Sequence, residues 1–286
     1  MRANKNKRIF GVAWLAAMLL LGLGGVARAQ SGQSQNPPPA QQQDKKANVQ
    51  DLSLDSAPAP ASAEEDAAYK AFNGEADIKK KITLGEAFVQ KYPQSRYRPP
   101  VYSALTIAYV EDGNVAKMEE IGEKEIALNP NDGQTLALMG QTMPRTWNPS
   151  APDAAKQLDK AEQYSKRALE VIPTMAKPDA ITDEQFTRAK NQALAMAHSG
   201  LGLVNVRRGK YADAIADLEQ SVKLDPQPDP VNYYLLGLAN EKSSHFEDAV
   251  AAFTKCAAMP SSLAGTCKGL IEEAKKLAST QLSAPK

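Results

Sequence analysis

The sequence predicts an all-α protein, an α-solenoid of about five helix-turn-helix units closed by a C-terminal capping helix. Three observations carry this expectation. The stretch GKYADAIADLEQSVKLDP (residues 209–226) returns 35 positions later as SHFEDAVAAFTKCAAMP, with Tyr211 over Phe246, Ala214 over Ala249, Ile215 over Val250 and Leu218 over Phe253. The segments before them repeat as well, HSGLGLVN (198–205) over YYLLGLAN (233–240), so that Leu201-Gly202 falls on Leu236-Gly237. Finally, twelve residues separate Ala214 from Pro226, and twelve also separate Ala161 from Pro173. A helix pair that cannot bury its apolar face alone must stack on a neighbour, so self-similarity at this period means an array.

The N-terminus precedes the array. Arg2, Lys5, Lys7 and Arg8 lead an uncharged apolar run (residues 9–26) that ends in Ala27-Arg28-Ala29. This is the pattern of a secretory signal peptide over 1–29, cut before Gln30, which makes the mature chain periplasmic or secreted. The rival is an uncleaved membrane anchor, since 18 apolar residues just span a bilayer, but Gly22, Gly24 and Gly25 weaken its end. No cysteine follows the run to accept a lipid. Removing 1–29 takes five basic residues, leaving 29 Lys and Arg against 33 Asp and Glu, or −4. A nucleic-acid footprint is not expected from that balance. Residues 30–62 are rich in Gln, Pro, Ala and Ser and read as a disordered tether, with a short binding motif near residues 49–54 as the alternative.

The repeat domain is expected over 63–280, with 281–286 a disordered tail. Its first unit is a helical stretch from Glu64 closed by Pro93. In the second unit Tyr102, Leu105 and Tyr109 keep the first-helix spacing, but Met118 and Gly122 stand where a small and a large residue are expected, before Pro130. The third has its first helix around Leu136 to Thr142. Its link between Gly140 and Leu158 is about nine residues too long and carries PRTWNP, with Trp147 expected to be exposed between Pro144 and Pro149. In the fourth, Thr182 and Gln185 form a capping box that starts a long helix running to Arg208. Gly202 and Ala214 are notches where backbones approach, and Leu201, Val204, Ile215, Leu218 and Val222 form an apolar stripe. Gly209 closes one helix and Pro226 stops the next. The fifth copies the fourth. The stretch SLAGTCKGLIEEAKKLAST then supplies the cap, with Cys267, Leu270 and Ala274 on its inner face.

These units resemble the tetratricopeptide repeat, whose pattern is W-x2-L-G-x2-Y, then A-x3-F, then P. His198, Leu201, Gly202, Asn205, Ala214, Leu218 and Pro226 occupy the pattern in the fourth unit, His and Asn departing from the aromatic positions. The resemblance covers about residues 64–280. It implies a right-handed superhelix whose first helices line a concave, partner-binding groove. The positions that face such a groove fall on Ile107 and Val110, on Leu203, Val206 and Arg207, and on Tyr234, Leu238 and Lys242. Relatives that grip acidic C-termini use a lysine and asparagine clamp where this chain has Ser199 and Leu203, so that ligand class is not expected. The resemblance also places Cys256 on the last second helix facing the next first helix, where Cys267 lies. An exported chain would join them in a disulfide, the alternative being two buried free thiols.

Catalytic constellations are not expected. AHSGLG lacks the first glycine of a nucleophile elbow, and GLGLVN lacks the third glycine of a dinucleotide fingerprint. His198 and His245 are in different surroundings and suggest no shared metal. The expected function is a non-catalytic adaptor for a protein or peptide partner, without cofactor, nucleic acid or evident small-molecule substrate. The alternatives are a helper in outer-membrane protein assembly, suggested by the phrase YPQSRY, and a repeat module anchored by an uncleaved N-terminal helix.

Overall fold

The computed structural model describes residues 61–282, with side chains through residue 280. The expected signal peptide 1–29, nearly all of the 30–62 tether and residues 283–286 of the tail lie outside the described residues. Within them the chain forms α1 (Ala63–Gly74), α2 (Ile78–Lys91), α3 (Arg98–Asp112), α4 (Val115–Leu128), α5 (Gly133–Thr142), α6 (Ala154–Val171), α7 (Asp183–Arg207), α8 (Tyr211–Leu224), α9 (Pro230–Lys242), α10 (Phe246–Ala258) and α11 (Ala264–Leu282). Sequential helices pack as five hairpins, and α11 lies on α10. The array is the all-α solenoid that the sequence predicts, with its cap.

Local chemistry sets the helix starts. The first backbone N–H groups of a helix have no partner within it, and short polar side chains supply one. Ser62, Asp77, Asn114, Asp132 and Asp229 accept from the N–H groups of Glu65, Lys80, Lys117, Gln134 and Val231. The Thr182–Gln185 capping box is present in both directions. Helix ends at equivalent places in three repeats need a left-handed residue. Gly113 and Gly209 take it at φ 79° and 72°, whereas Ser244 takes it at φ 63° with a side chain attached.

Packing between paired helices depends on missing side chains. A Cβ on Gly202 would lie 2.5 Å from Leu218 Cγ, and one on Gly237 2.4 Å from Phe253 Cε1, so the bulky residue of each second helix sits in a glycine notch of the first. Repeat 3 uses the same notch with a smaller partner. A Cβ on Gly140 would be 2.1 Å from Ser165 Oγ and 2.9 Å from Ser165 N, and one on Gly200 would be 2.6 Å from the Gly140 carbonyl oxygen. Thus α5, α6 and α7 cross at backbone distance. In repeat 2 the notch changes sides: Met118 is wholly buried, and the hole at Gly122 is filled by Met139 Sδ from α5. Repeat 1 packs through rings, with Tyr69 stacked on Tyr97 at 4.1 Å beside buried Phe72 and Phe88.

The repeat-3 link is nine residues longer than its counterparts: 25 positions separate Gly140 from Ser165, against 16 for Gly202 to Leu218 and 16 for Gly237 to Phe253. Its Trp147 is not exposed as the flanking prolines suggested. The indole is half-buried against the core of repeats 2 and 3, and its Nε1 donates to the Ala154 carbonyl at 2.9 Å. A large ring with one donor finds both an apolar surface and an acceptor by folding back on its own loop. The long α7 packs against α5 and α6, and Lys190 Nζ ties it to the Pro173 carbonyl at 2.7 Å, leaving its first two turns largely exposed.

At the C-terminal end Cys256 and Cys267 are wholly buried, with their sulfurs 1.97 Å apart and Cα atoms at 6.1 Å, so the two cysteines stand at bonding distance. They share their cluster with Ala249, Phe253 and Ala274, the inner face expected for the cap.

Candidate partner-binding wall

Successive first helices touch one another, α5 with α7 and α7 with α9, while successive second helices make no comparable contact among the described residues. The solenoid therefore curves with its first helices inside. An ion pair agrees: Arg145 Nη2, just after α5, reaches Asp229 Oδ2 at the start of α9, 2.9 Å away and two repeats along. Such a bridge is possible only where the wall turns inward.

The residues expected on this wall divide into two sets. Val110, Val206, Tyr234 and Leu238 are half-buried, and Arg207 and Lys242 are exposed. Ile107 and Leu203 do not offer themselves to a partner. They are 6 % and 5 % exposed, and Leu203 packs with Leu235, Leu236 and Ala239 of α9. For Leu203 the reason is geometric, since it points at α9, whereas Leu238, at the same place one repeat on, stays half-buried beside the cap cluster. What remains is a modest apolar strip bordered by cations.

The cations share a register. Arg145, Arg207 and Lys242 each come five positions after the notch glycine of their repeat, Gly140, Gly202 and Gly237. None is free of neighbours. Arg145 pairs with Asp229, Lys242 Nζ lies 3.3 Å from Glu241 Oε1, and the Arg207 guanidinium sits 5.6 Å from the Trp147 ring centroid. Sequence reasoning found Arg207 and Lys242 but missed Arg145 and Asp229. The register was the available signal, hidden by the prolines that flank Arg145.

The two departures from the aromatic pattern in repeat 4 have one cause. His198 Nδ1 lies 3.1 Å from Asp217 Oδ1, and Asn205 Nδ2 donates to Asp217 Oδ2 at 3.2 Å. A carboxylate on α8 thus replaces ring packing with a polar bridge. Ser199 is buried in a second network: its Oγ donates to Asn232 Oδ1 at 2.7 Å, Asn232 Nδ2 donates to Ser221 Oγ at 3.0 Å, and Ser221 Oγ donates to the Ala195 carbonyl at 2.9 Å. A fully engaged hydroxyl between α7, α8 and α9 joins repeats and is not placed as a nucleophile.

Electrostatics single out one group off the wall. Glu125 on α4 is 1 % exposed, and its Oε2 has no partner. Burial, then the neighbouring Asp132 charge, pushes its carboxyl up to about 8. On the other side of the insertion, the Arg208 guanidinium and then Lys166 hold Glu162 down at about 2. Among the described residues no group of three or more His, Cys, Asp or Glu side chains could hold a metal ion. No described helix is long and apolar enough to cross a membrane.

Residues 195–228 match the family model of the tetratricopeptide repeat. No curated protein matches the chain. Among solved structures, a thermophilic repeat protein of the same kind from Thermus thermophilus aligns at 18 % identity and a TM-score of 0.47, over 73 % of this chain and 98 % of that one. An ArsTM double mutant of MamA RS-1 aligns at 15 % identity and a TM-score of 0.44, over 77 % of this chain and 96 % of that one.

Proposed function

We propose that the chain, whose residues 195–228 match the tetratricopeptide-repeat model, is a non-catalytic, exported adaptor that holds a segment of a protein partner on the inner wall of α7 and α9. The fold is that of a protein-interaction scaffold; the export, the absence of catalysis and the particular wall are the finer parts of the proposal. The observation that carries it is the strip of Val206, Tyr234 and Leu238, which the stacking of first helices leaves half-buried while it buries Leu203. Incompletely covered aromatic and aliphatic groups with a polar border are what a partner segment can finish burying.

Export is supported by the charge and cleavage pattern of residues 1–29 and by two cysteines placed at bonding distance, which an oxidising compartment would join. The experiment is recovery of partners from the native envelope with the full chain. Truncating Tyr234 and Leu238 to Ala together should lower recovery at least tenfold, as loss of about 2 kcal/mol at an anchor implies. Unchanged recovery in that variant, with recovery abolished by Arg207→Glu and Lys242→Glu, would overturn the apolar wall in favour of a purely ionic one. Mass spectrometry finding residues 1–29 still attached would replace export by anchoring.

A further inference from the structure

We propose that the nine-residue insertion of repeat 3 is a latch, closing over the inner wall and fixing repeats 3, 4 and 5 at one curvature. Two contacts from the residues that lead into it reach two different repeats. Trp147 lies under the Arg207 guanidinium at the end of α7, in repeat 4, at 5.6 Å. Arg145, two residues earlier, pairs with Asp229 at the start of α9, in repeat 5. A loop that only filled extra length would lie against its own hairpin. This one has its ring anchored at home, through Nε1 to the Ala154 carbonyl, while the ring face and the Arg145 cation are directed at the next two repeats.

The two contacts differ in kind. The ion pair is part-exposed, at 33 % for Arg145 and 37 % for Asp229, so salt screens it and it acts as the releasable arm. The ring is half-buried and stacked on a cation, so it acts as the pivot. Arg208, the residue after Arg207, pairs with Asp159 and Glu162 of α6, which holds the end of α7 in place for the pivot. Among the described residues no such pair joins repeat 2 to repeat 4, and α3 and α5 touch only lightly. Curvature is thus preset on one side of α5 and left to the helix interfaces on the other. The consequence for binding rests on the inner wall being the partner site: with the latch closed, α5, α7 and α9 meet a partner at a spacing already fixed, which reduces the ordering that binding must supply.

Native-state hydrogen exchange on the free full-length chain tests this without any partner. Arg145→Gln and Asp229→Asn are the informative variants, because Asn keeps the helix cap that Asp229 Oδ1 gives Val231 N while losing the charge. Each should speed exchange in residues 143–153 and in the first turn of α9 roughly two- to fivefold, and the double variant should be no faster than either alone. Added salt should speed the parent and leave the double variant unchanged. Trp147→Ala should open the same two regions by roughly tenfold or more. Unchanged exchange in α9 for Arg145→Gln, or additive effects in the double variant, would overturn the latch. Because partner recovery is not part of this measurement, its failure would leave the inner-wall proposal standing, and failure of that proposal would leave the latch.

Discussion

The two halves of the array solve one packing problem in opposite ways. In repeats 4 and 5 the first helix carries the hole, at Gly202 and Gly237, and the second helix carries the knob, at Leu218 and Phe253. In repeat 2 the second helix carries the hole, at Gly122, and the knob is Met139 from the following repeat, while Met118 fills the place of the small residue. Repeat 1 likewise has its hole on the second helix, at Gly85, filled by Phe72 and by Leu105 of the following repeat, beside the stacked Tyr69 and Tyr97 rings. The difference teaches that stacking requires complementary volumes, not particular side chains at particular places. Buried polar groups follow no such division: Ser199, Ser221 and Asn232 satisfy one another in repeats 4 and 5, while Glu125 Oε2 in repeat 2 and Glu241 Oε2 in repeat 5 each lack a hydrogen-bond partner.

The largest expected contrast between the halves is in pH dependence. Glu125 titrates at 4.5 in an unperturbed chain and at about 8 in the fold, so the folded state holds its proton more tightly. The stability this gives is fully present below pH 4.5 and is lost as pH rises to about 8, with a ceiling of about 5 kcal/mol from the size of the shift. Urea titrations at pH 5 and pH 9 should show the loss in the parent and not in Glu125→Gln, and hydrogen exchange should place it at α4 and α5. Equal pH dependence in the two proteins would mean that Glu125 finds a counter-charge or water in solution.

Next in size is a pair of glycine substitutions. Gly140→Ala places a methyl against the Ser165 backbone and should cost about 3 kcal/mol, whereas Gly122→Ala meets the flexible Met139 thioether and should cost about 1 kcal/mol. Denaturation midpoints that rank them in the reverse order would erase the contrast between a rigid crossing and an adaptable one. Joining Cys256 to Cys267 closes a short loop and should hold α11 by about 2–3 kcal/mol in the chain-entropy model. Reductant should therefore speed exchange in α11 and leave α1 to α4 untouched. Two reactive thiols per chain in the unfolded, unreduced protein would contradict it. The smallest effect is a gain: Ser244→Gly relieves a left-handed backbone that Gly113 and Gly209 hold freely, and should add about 0.5 kcal/mol to thermal stability.

The C-terminal half was legible because its notches are glycines at one spacing and its caps are written in the sequence. Thr182, Gln185, Gly202, Gly209 and Gly237 each name their own structural role. Repeat 2 was legible in period but not in packing, since nothing at Gly122 says that the filling residue comes from Met139, seventeen positions on and in another repeat. The wall was half legible. Pattern positions identify which residues lie on the inner side, but burial there depends on how the neighbouring helices pack, which covers Leu203 with α9 and leaves Ile107 only 6 % exposed. Trp147 misled because flanking prolines report backbone shape and say nothing of where the ring lands. Arg145 and Asp229 are 84 positions apart, and only the curvature of three stacked hairpins brings them together.

The central claim is that partner contact runs along the inner wall of the first helices. A photoreactive benzoylphenylalanine at Leu238, half-buried on α9, tests it against the same group at Ala216, exposed on the second helix α8. Irradiation of the full chain in the native envelope should give discrete protein adducts from position 238 that Tyr234→Ala diminishes, and none of the same mass from position 216. Adducts of equal yield from both positions, or from position 216 alone, would contradict it.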